Sequence, residues 1–348
     1  MPQIIKIGLA GTGLSAKVFH APFWEADGRF QLQRVYARSA EKGRAAFPDA
    51  QVSENFADLL ADDIDLIVIT TPNQTHYALA EQALLAGKNV LVEKPVCATA
   101  EEARHLAALA EKQGVLLTVY QNRRWDHAPL TAKTLLAENL LGDIVDAEIR
   151  FERYAAGLNK KAWKETGGAG VGLVYDLGVH LLDMAVDLFG MPEALYADIR
   201  HQHQNALSDD YFAIILYYTD GKRVNLVGSK YAREPLPFMA LHGKLGSYIQ
   251  QEADNQEALL AAGAKPVGNW NSEPETHWGL LHTVANNGDI IRRRIAGTRG
   301  DYGAFYRQLY DALVHRAPPP VTMEQAISVL TLIEKAYLSA KEGRKIRI

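Results

Sequence analysis

Lys94 is the first residue in the chain placed to do chemistry. It belongs to Glu93-Lys94-Pro95, directly after the β-rich run Lys88-Asn89-Val90-Leu91-Val92. Ligands of open α/β sheets gather outside the carboxyl ends of the strands. An ammonium held there can hydrogen-bond a reacting oxygen and stabilise negative charge on it. A surface lysine after an edge strand has the same local sequence, so Lys94 alone decides nothing. A second set lies in residues 175–189, an apolar helical run interrupted by Asp176, His180, Asp183 and Asp187. At about 100° per residue these four share an arc of roughly 60° on one helix face. The four-residue step from Asp176 to His180 suits a general base and a carboxylate that orients or charges it. Asp183 and Asp187 fit a solvated helix face equally well.

A third set points to phosphate. The β-branched run 4–10 ends in Gly11-Thr12-Gly13-Leu14-Ser15-Ala16, the Gly-x-Gly-x-x-Gly/Ala pattern in its alanine form, and a helix is expected over 15–26. Strand before and helix after are the context the pattern needs: the glycines allow a tight turn and close backbone approach, and a pyrophosphate sits on the helix N-terminus. Pro72 and Asn73 stop the next strand, so Thr71-Pro72-Asn73 forms another loop at this cofactor edge. An Asp or Glu at the end of the second strand would bind the ribose hydroxyls of NAD. Ala37-Arg38-Ser39 stands there instead, with Lys42 and Arg44 one turn later. A cation and a hydroxyl suit a 2′-phosphate, which favours NADP, with NAD possible. Arg38 stacked on adenine, or lying over the sheet edge, is the other reading of that side chain.

Strands over 30–37, 65–70, 89–92 and 115–120 alternate with helices near 40–47, 55–60, 74–86 and 100–113, the rhythm of a doubly wound parallel sheet. After Tyr120 the rhythm changes to a helix over 130–138, a strand over 143–154, the run Gly167-Gly168-Ala169-Gly170-Val171-Gly172 and the polar-striped helix. Strands over 195–204, 211–218, 223–231, 237–242 and 246–250 then follow without helices between them, and Asp220-Gly221 marks a hairpin turn. Thr322 and Gln325 form a capping box for a helix running to about residue 341. The fold class is therefore α/β: a nucleotide-binding domain over 1–123 and an α+β domain with a large, mostly antiparallel sheet over 124–348.

Composition narrows the class further. The 348 residues are 48% hydrophobic and 22% charged with a net charge of -4, an ordinary globular balance without the basic excess that nucleic acid or an anionic membrane requires. Arg292-Arg293-Arg294 is the one tight basic run, and three arginines are more often a solvated face than a phosphate patch. The single Cys97 excludes an internal disulfide framework and a cysteine-based zinc site. His201 and His203 alternate on a strand without a third ligand at convincing spacing, so no metal is expected. No apolar run reaches membrane-spanning length, and the chain enters a strand at once without a leader pattern, so a cytoplasmic protein is expected.

Taken together these residues resemble the Gfo/Idh/MocA oxidoreductase family over nearly the whole chain. The resemblance rests on Gly11-Thr12-Gly13, Thr71-Pro72-Asn73 with His76, Ala86-Gly87-Lys88 leading into Glu93-Lys94-Pro95, Gln121-Asn122-Arg123-Arg124, and Asp176-Leu177-Gly178-Val179-His180. It implies a Rossmann domain, a catalytic pair Lys94 and His180 supported by Asp176, and a cis bond before Pro95. His76, Glu93, Lys94 and Asn122 join the glycine turn as cofactor contacts. Phe19-His20-Ala21-Pro22, Gln121 to Trp125, Asp254-Asn255-Gln256-Glu257 and Trp163-Lys164 resemble the branch that contains NADP-dependent scyllo-inositol dehydrogenases, where the tryptophan lies near the nicotinamide. Arg124, Tyr154, Trp163, Lys164 and Asp176 are candidates to contact substrate hydroxyls. The resemblance also implies assembly as a homodimer or homotetramer through the exposed sheet face.

The expected activity is reversible hydride transfer between a secondary alcohol of a cyclic polyol or sugar and NADP. Two alternatives remain: a cofactor-binding regulator without turnover, and an NAD-assisted lyase or glycosidase that recycles its cofactor. The expected partner is a small-molecule polyol or sugar, with neither nucleic acid nor membrane involved.

Overall fold

The computed structural model describes residues 2–158, 165, 167–285 and 287–348. They fall into two compact units. In the first, β1 (Ile5–Ala10), β2 (Phe30–Tyr36), β3 (Gln51–Ser53), β4 (Leu66–Ile69), β5 (Asn89–Glu93) and β6 (Leu117–Tyr120) form a sheet in the order β3-β2-β1-β4-β5-β6. Every neighbouring pair is parallel. All four residues of β4 and of β6 are buried, as a parallel sheet with both faces covered demands. The helices are α1 (Ala21–Asp27), α2 (Ala40–Ala46), α3 (His76–Leu85) and α4 (Ala100–Gln113). Helix α4 starts at a complete capping box of Thr99 and Glu102 and stops at Gly114, whose φ is 66°. The strand order reverses between β1 and β4, so the turns after these two strands stand where dinucleotides bind in sheets of this order.

The second unit contains α5 (His127–Ala137), β7 (Ile144–Glu152), α6 (Val179–Phe189), β8 (Ala194–Arg200), β9 (Tyr211–Tyr217), β10 (Arg223–Ser229), β11 (Met239–Gly243) and β12 (Gly246–Gln250). With β13 (Gly279–Val284), β14 (Ile290–Ile295) and β15 (Ile346–Arg347) they build a nine-stranded sheet in the order β14-β13-β12-β11-β7-β10-β9-β8-β15. Only β7 and β10 pair in parallel, because the long stretch carrying α6, β8 and β9 separates them and can act as a crossover. The strand expected over 195–204 ends at Arg200, since the Asp210 carboxylate takes the backbone N–H groups of Gln202 and His203 at 2.6 and 2.9 Å. Among the described residues no group of His, Cys, Asp and Glu is arranged to hold a metal, and no helix is long and apolar enough to cross a membrane.

The division of the chain differs from the single boundary expected at residues 123/124. The first unit runs to Gln121 and also takes Gln256–Trp270, with α7 (Gln256–Ala261), and Tyr302–Ile327, with α8 (Tyr302–His315). The reason is aromatic packing. Tyr306 of α8 stacks on Phe23 with centroids 5.5 Å apart and meets Phe30 edge-on at 5.8 Å, and the Tyr310 hydroxyl donates to the Gln3 carbonyl. The capping box at Thr322 is present as expected, with Thr322 and Gln325 exchanging bonds of 3.1 and 3.3 Å at the start of α9 (Met323–Glu342).

Candidate functional site

In the first unit the glycine turn splits into two roles. Gly11 has φ 102°, and a Cβ there would lie 2.8 Å from Thr70 Oγ1 and 3.0 Å from the Thr70 carbonyl carbon. The fold itself therefore requires glycine at position 11. Gly13 has no positive φ, and a Cβ there would meet nothing within 4 Å. No internal contact asks for glycine at this exposed position, so the surface it leaves bare is room for a ligand to approach the backbone. Thr12, Leu14 and the fully buried Ala16 complete the turn.

After the turn the chain forms a π-helical stretch, Ala16–His20, before α1. Single π turns inside helices recur at functional sites. Ser15 does not cap this stretch; its hydroxyl donates to Glu93 Oε1, which His20 Nε2 also meets at 3.0 Å. Glu93 Oε2 accepts from the Lys94 backbone N–H at 3.1 Å. The Glu93 side chain is only 12% exposed. Burial alone would push its carboxyl up, but bonds from His20 and Ser15 and the positive charge of Lys94 outweigh it and hold the group below the usual range. The Lys94–Pro95 bond is cis, as the resemblance implies. Glu93, expected among the cofactor contacts, is thus an internal hub.

His76 is also internal. It is fully buried, with Nε2 and Nδ1 each 2.8 Å from a carbonyl oxygen, of Thr71 and of Pro95. It packs between the Thr71-Pro72-Asn73 loop and the Glu93-Lys94-Pro95 loop, and its neutral ring donates to one of the two carbonyls. Burial lowers its proton affinity more than the two carbonyls raise it, so it sits below the ordinary histidine value. At the end of β2, Arg38, Lys42 and Arg44 are exposed, and none has an ion-pair partner among the described residues. The Ser39 hydroxyl caps α2 by accepting from Lys42 N–H at 3.4 Å. These three exposed cations stand beside the glycine turn, where an anionic group of a bound cofactor could meet them.

In the second unit a π-helical stretch, Val174–Gly178, again precedes the functional helix, and it carries Asp176. Asp176 lines a small cleft with Glu165, Gly172, Leu173, Ser208, Asp209 and Lys230. The stripe on α6 is buried at His180 and Asp183. Asp183 is not solvated: its two oxygens take Arg124 Nε and Nη2 at 2.7 and 2.8 Å, with side-chain exposures of 2% and 4%. Asp187 holds Lys133 at 2.6 Å and lies 3.8 Å from Arg124 Nη1. Burial would lower the proton affinity of Arg124, but the charges of Asp183 and Asp187 overcome it and raise it. Arg124, a substrate candidate, therefore spends its guanidinium on the helix that bears His180. Asn122 is buried in the turn just before it. Tyr154 forms a backbone bridge to Tyr231, and its ring lies 3.6 Å from the Arg233 guanidinium carbon. Trp163 and Lys164 lie outside the described residues.

Asp209 escaped the sequence reading. Its carboxylate accepts from Val174 N–H at 2.8 Å and from the Tyr337 hydroxyl at 2.6 Å, fastening the start of the Asp176 stretch. Burial pushes its carboxyl up despite those bonds. The fit is close: Gly172 has φ 98°, and a Cβ there would lie 2.1 Å from Asp209 Oδ1. His20 and Tyr306 were likewise unassigned, being separated by almost the whole chain.

Comparison with known proteins gives a consistent picture. The chain matches the models described as oxidoreductase family, NAD-binding Rossmann fold, over residues 5–121, and oxidoreductase family, C-terminal alpha/beta domain, over residues 133–348. It is 37% identical over 346 residues to scyllo-inositol 2-dehydrogenase (NADP(+)) IolW of Bacillus subtilis (strain 168), covering 99% of this chain and 96% of that one. It is 39% identical over 343 residues to the oxidoreductase YdgJ of Escherichia coli (strain K12), with 98% of each covered. A solved oxidoreductase structure from Bacteroides fragilis superposes with a TM-score of 0.90 at 43% identity, covering 99% of this chain and 100% of that one.

Proposed function

The chain belongs to the Gfo/Idh/MocA oxidoreductase family, and from that premise we propose that it interconverts a secondary alcohol of an inositol-like cyclic polyol or sugar and its ketone, with NADP as the redox partner. The observation that carries the reading is the division of the α6 stripe. Asp183 and Asp187 are spent on Arg124 and Lys133, which leaves buried His180 as the acid–base member of the helix.

Gly11, Thr12 and Gly13 would hold the pyrophosphate of the cofactor, and Arg38 with Ser39 the 2′-phosphate. When bound, the nicotinamide supplies the hydride acceptor. His180 takes the hydroxyl proton as the substrate carbon is oxidised, and Lys94 donates a hydrogen bond to the same oxygen and stabilises the charge developing there. Asp176 keeps the site negative enough for His180 to act as a base. In the reducing direction Lys94 polarises the ketone and His180 returns the proton. The 37% identity over 99% of this chain to a protein named as an NADP-dependent scyllo-inositol dehydrogenase supports this choice of cofactor and substrate class. A cytoplasmic homodimer or homotetramer belongs to the same reading.

The test is nicotinamide absorbance with purified protein, NADP or NAD, and a panel of inositols, inososes and sugars. NADP reduction by a cyclic polyol is expected. His180→Ala should lower kcat by about 10²–10⁴ with cofactor binding intact, and Arg38→Ala should weaken NADP more than NAD. Near-normal turnover in His180→Ala overturns the assignment. Tight cofactor binding with no turnover on any substrate moves the chain to a regulator or a recycled-cofactor enzyme.

A further inference from the structure

We propose that His20 is a positioning residue for Lys94, acting through Glu93. The inference rests on the reading of Lys94 as the group that meets the substrate oxygen. His20 ends the π-helical stretch after the glycine turn, and its side chain is fully buried. Nε2 stands 3.0 Å from Glu93 Oε1, and Nδ1 stands 2.7 Å from the Tyr306 hydroxyl.

Donor counting places one proton on the ring. An ionised carboxylate only accepts, so His20 Nε2 carries a hydrogen. The Phe19 carbonyl already accepts from the Tyr120 hydroxyl at 2.8 Å. The Tyr306 hydroxyl is 3.1 Å from that carbonyl, which has a second lone pair for it, and 2.7 Å from His20 Nδ1, so it holds the far edge of the ring. His20 thus donates to Glu93 from Nε2 while Tyr306 holds its Nδ1 edge, and one line of contacts runs from Tyr306 through the ring to the carboxylate.

The chain ends on the residue that precedes Lys94. Glu93 joins three stretches: the Ser15 hydroxyl after the glycine turn, the His20 ring, and the backbone N–H of Lys94. The His20 ring cannot swing away, because Tyr120 packs on it at 4.4 Å between centroids, with Trp24 at 5.7 Å and Tyr306 at 6.3 Å. An apolar side chain would fill this aromatic box at less desolvation cost than an imidazole. What an apolar side chain lacks is the N–H aimed at Glu93. Without it the carboxylate loses a bond from the interior side and turns, and the peptide bearing Lys94 turns with it. A displacement of about 1 Å at a reacting group is enough to cost on the order of 10² in rate.

The experiment compares His20→Phe, His20→Gln and Tyr306→Phe with the parent protein by two readouts. One is steady-state turnover on the polyol found above. The other needs no substrate: mass-spectrometric measurement of Lys94 acylation by an acid anhydride as a function of pH. His20→Phe is expected to lower kcat about 10²-fold with KM little changed, and to move the pH midpoint of Lys94 acylation. His20→Gln, whose amide restores a donor near the Nε2 position, should regain most of both, and Tyr306→Phe should fall between. An unchanged Lys94 profile in a folded His20→Phe overturns the proposal, as does a glutamine variant that loses as much as the phenylalanine. If His20→Phe does not fold, an unchanged Lys94 profile in Tyr306→Phe overturns it. Failure of the enzyme reading looks different: the parent protein turns over nothing in the panel while Lys94 acylation still follows His20.

Discussion

In the first unit the loops around Lys94 are held by hydrogen-bond donors gathered on the Glu93 carboxylate and by His76 set between two carbonyls, whereas in the second the helix bearing His180 is held by paired charges. Glu93 serves Ser15, His20 and the Lys94 backbone, and His76 bridges two carbonyls. Around α6 the counterpart is Arg124 with Asp183 and Asp187, and Lys133 with Asp187. A hub of shared bonds fixes direction, because each partner has one place to donate or accept. A buried ion pair depends far more on keeping both members, since removing one strands the other charge.

The largest expected effect tests that dependence. Asp183→Ala leaves Arg124 buried without its bidentate partner and should cost about 3–5 kcal/mol in urea unfolding. The double variant Arg124→Met with Asp183→Leu should recover most of it. A loss below about 1 kcal/mol for the single variant would put the second unit on the same footing as the first. Next, Gly11→Ala should cost about 1–3 kcal/mol, because its left-handed backbone and the Thr70 contact both oppose a side chain; thermal unfolding reads it.

The pH dependence sharpens the comparison further. His76 sits below the ordinary histidine value in the folded chain, so its contribution is present above about pH 6.5 and is lost as pH falls toward the folded value. Glu93, also lowered, adds a loss at more acid pH, through and below the ordinary glutamate range. His76→Gln should therefore flatten the first part of the decline in urea midpoint, and Glu93→Gln only the second. The smallest effect is expected for Gly13→Ala, within about 0.5 kcal/mol in stability while NADP binding weakens. A stability loss equal to that of Gly11→Ala would make both glycines structural and remove the argument for an open approach at Gly13.

What was legible in the sequence followed from locality. The glycine turn, the strand running into Glu93-Lys94-Pro95, the capping box at Thr322 and the polar stripe through His180 each lie within one element and its ends, where spacing alone carries meaning. The partners of those residues were not legible. Arg124 and Asp183 are 59 residues apart, and His20 and Tyr306 are 286 apart, so only the fold makes them neighbours. The short β3 has too few residues to show a period, and the exposed β14, Ile-Ile-Arg-Arg-Arg-Ile, hides its alternation behind a basic run. Helix α8 has apolar spacing of its own, but spacing does not say which unit a helix packs on, so the discontinuity of the first unit appears only in the fold.

That discontinuity bears on how such a gene can be rearranged. A fragment ending near residue 123 would carry every strand of the nucleotide-binding sheet and every loop of its turn. It would lack the aromatic side chains that Tyr302–His315 lays against Phe23, Phe30 and Tyr120. The sheet alone is thus no transplantable cassette. Recombination that swaps this half between genes must carry a piece from near the far end of the reading frame along with it.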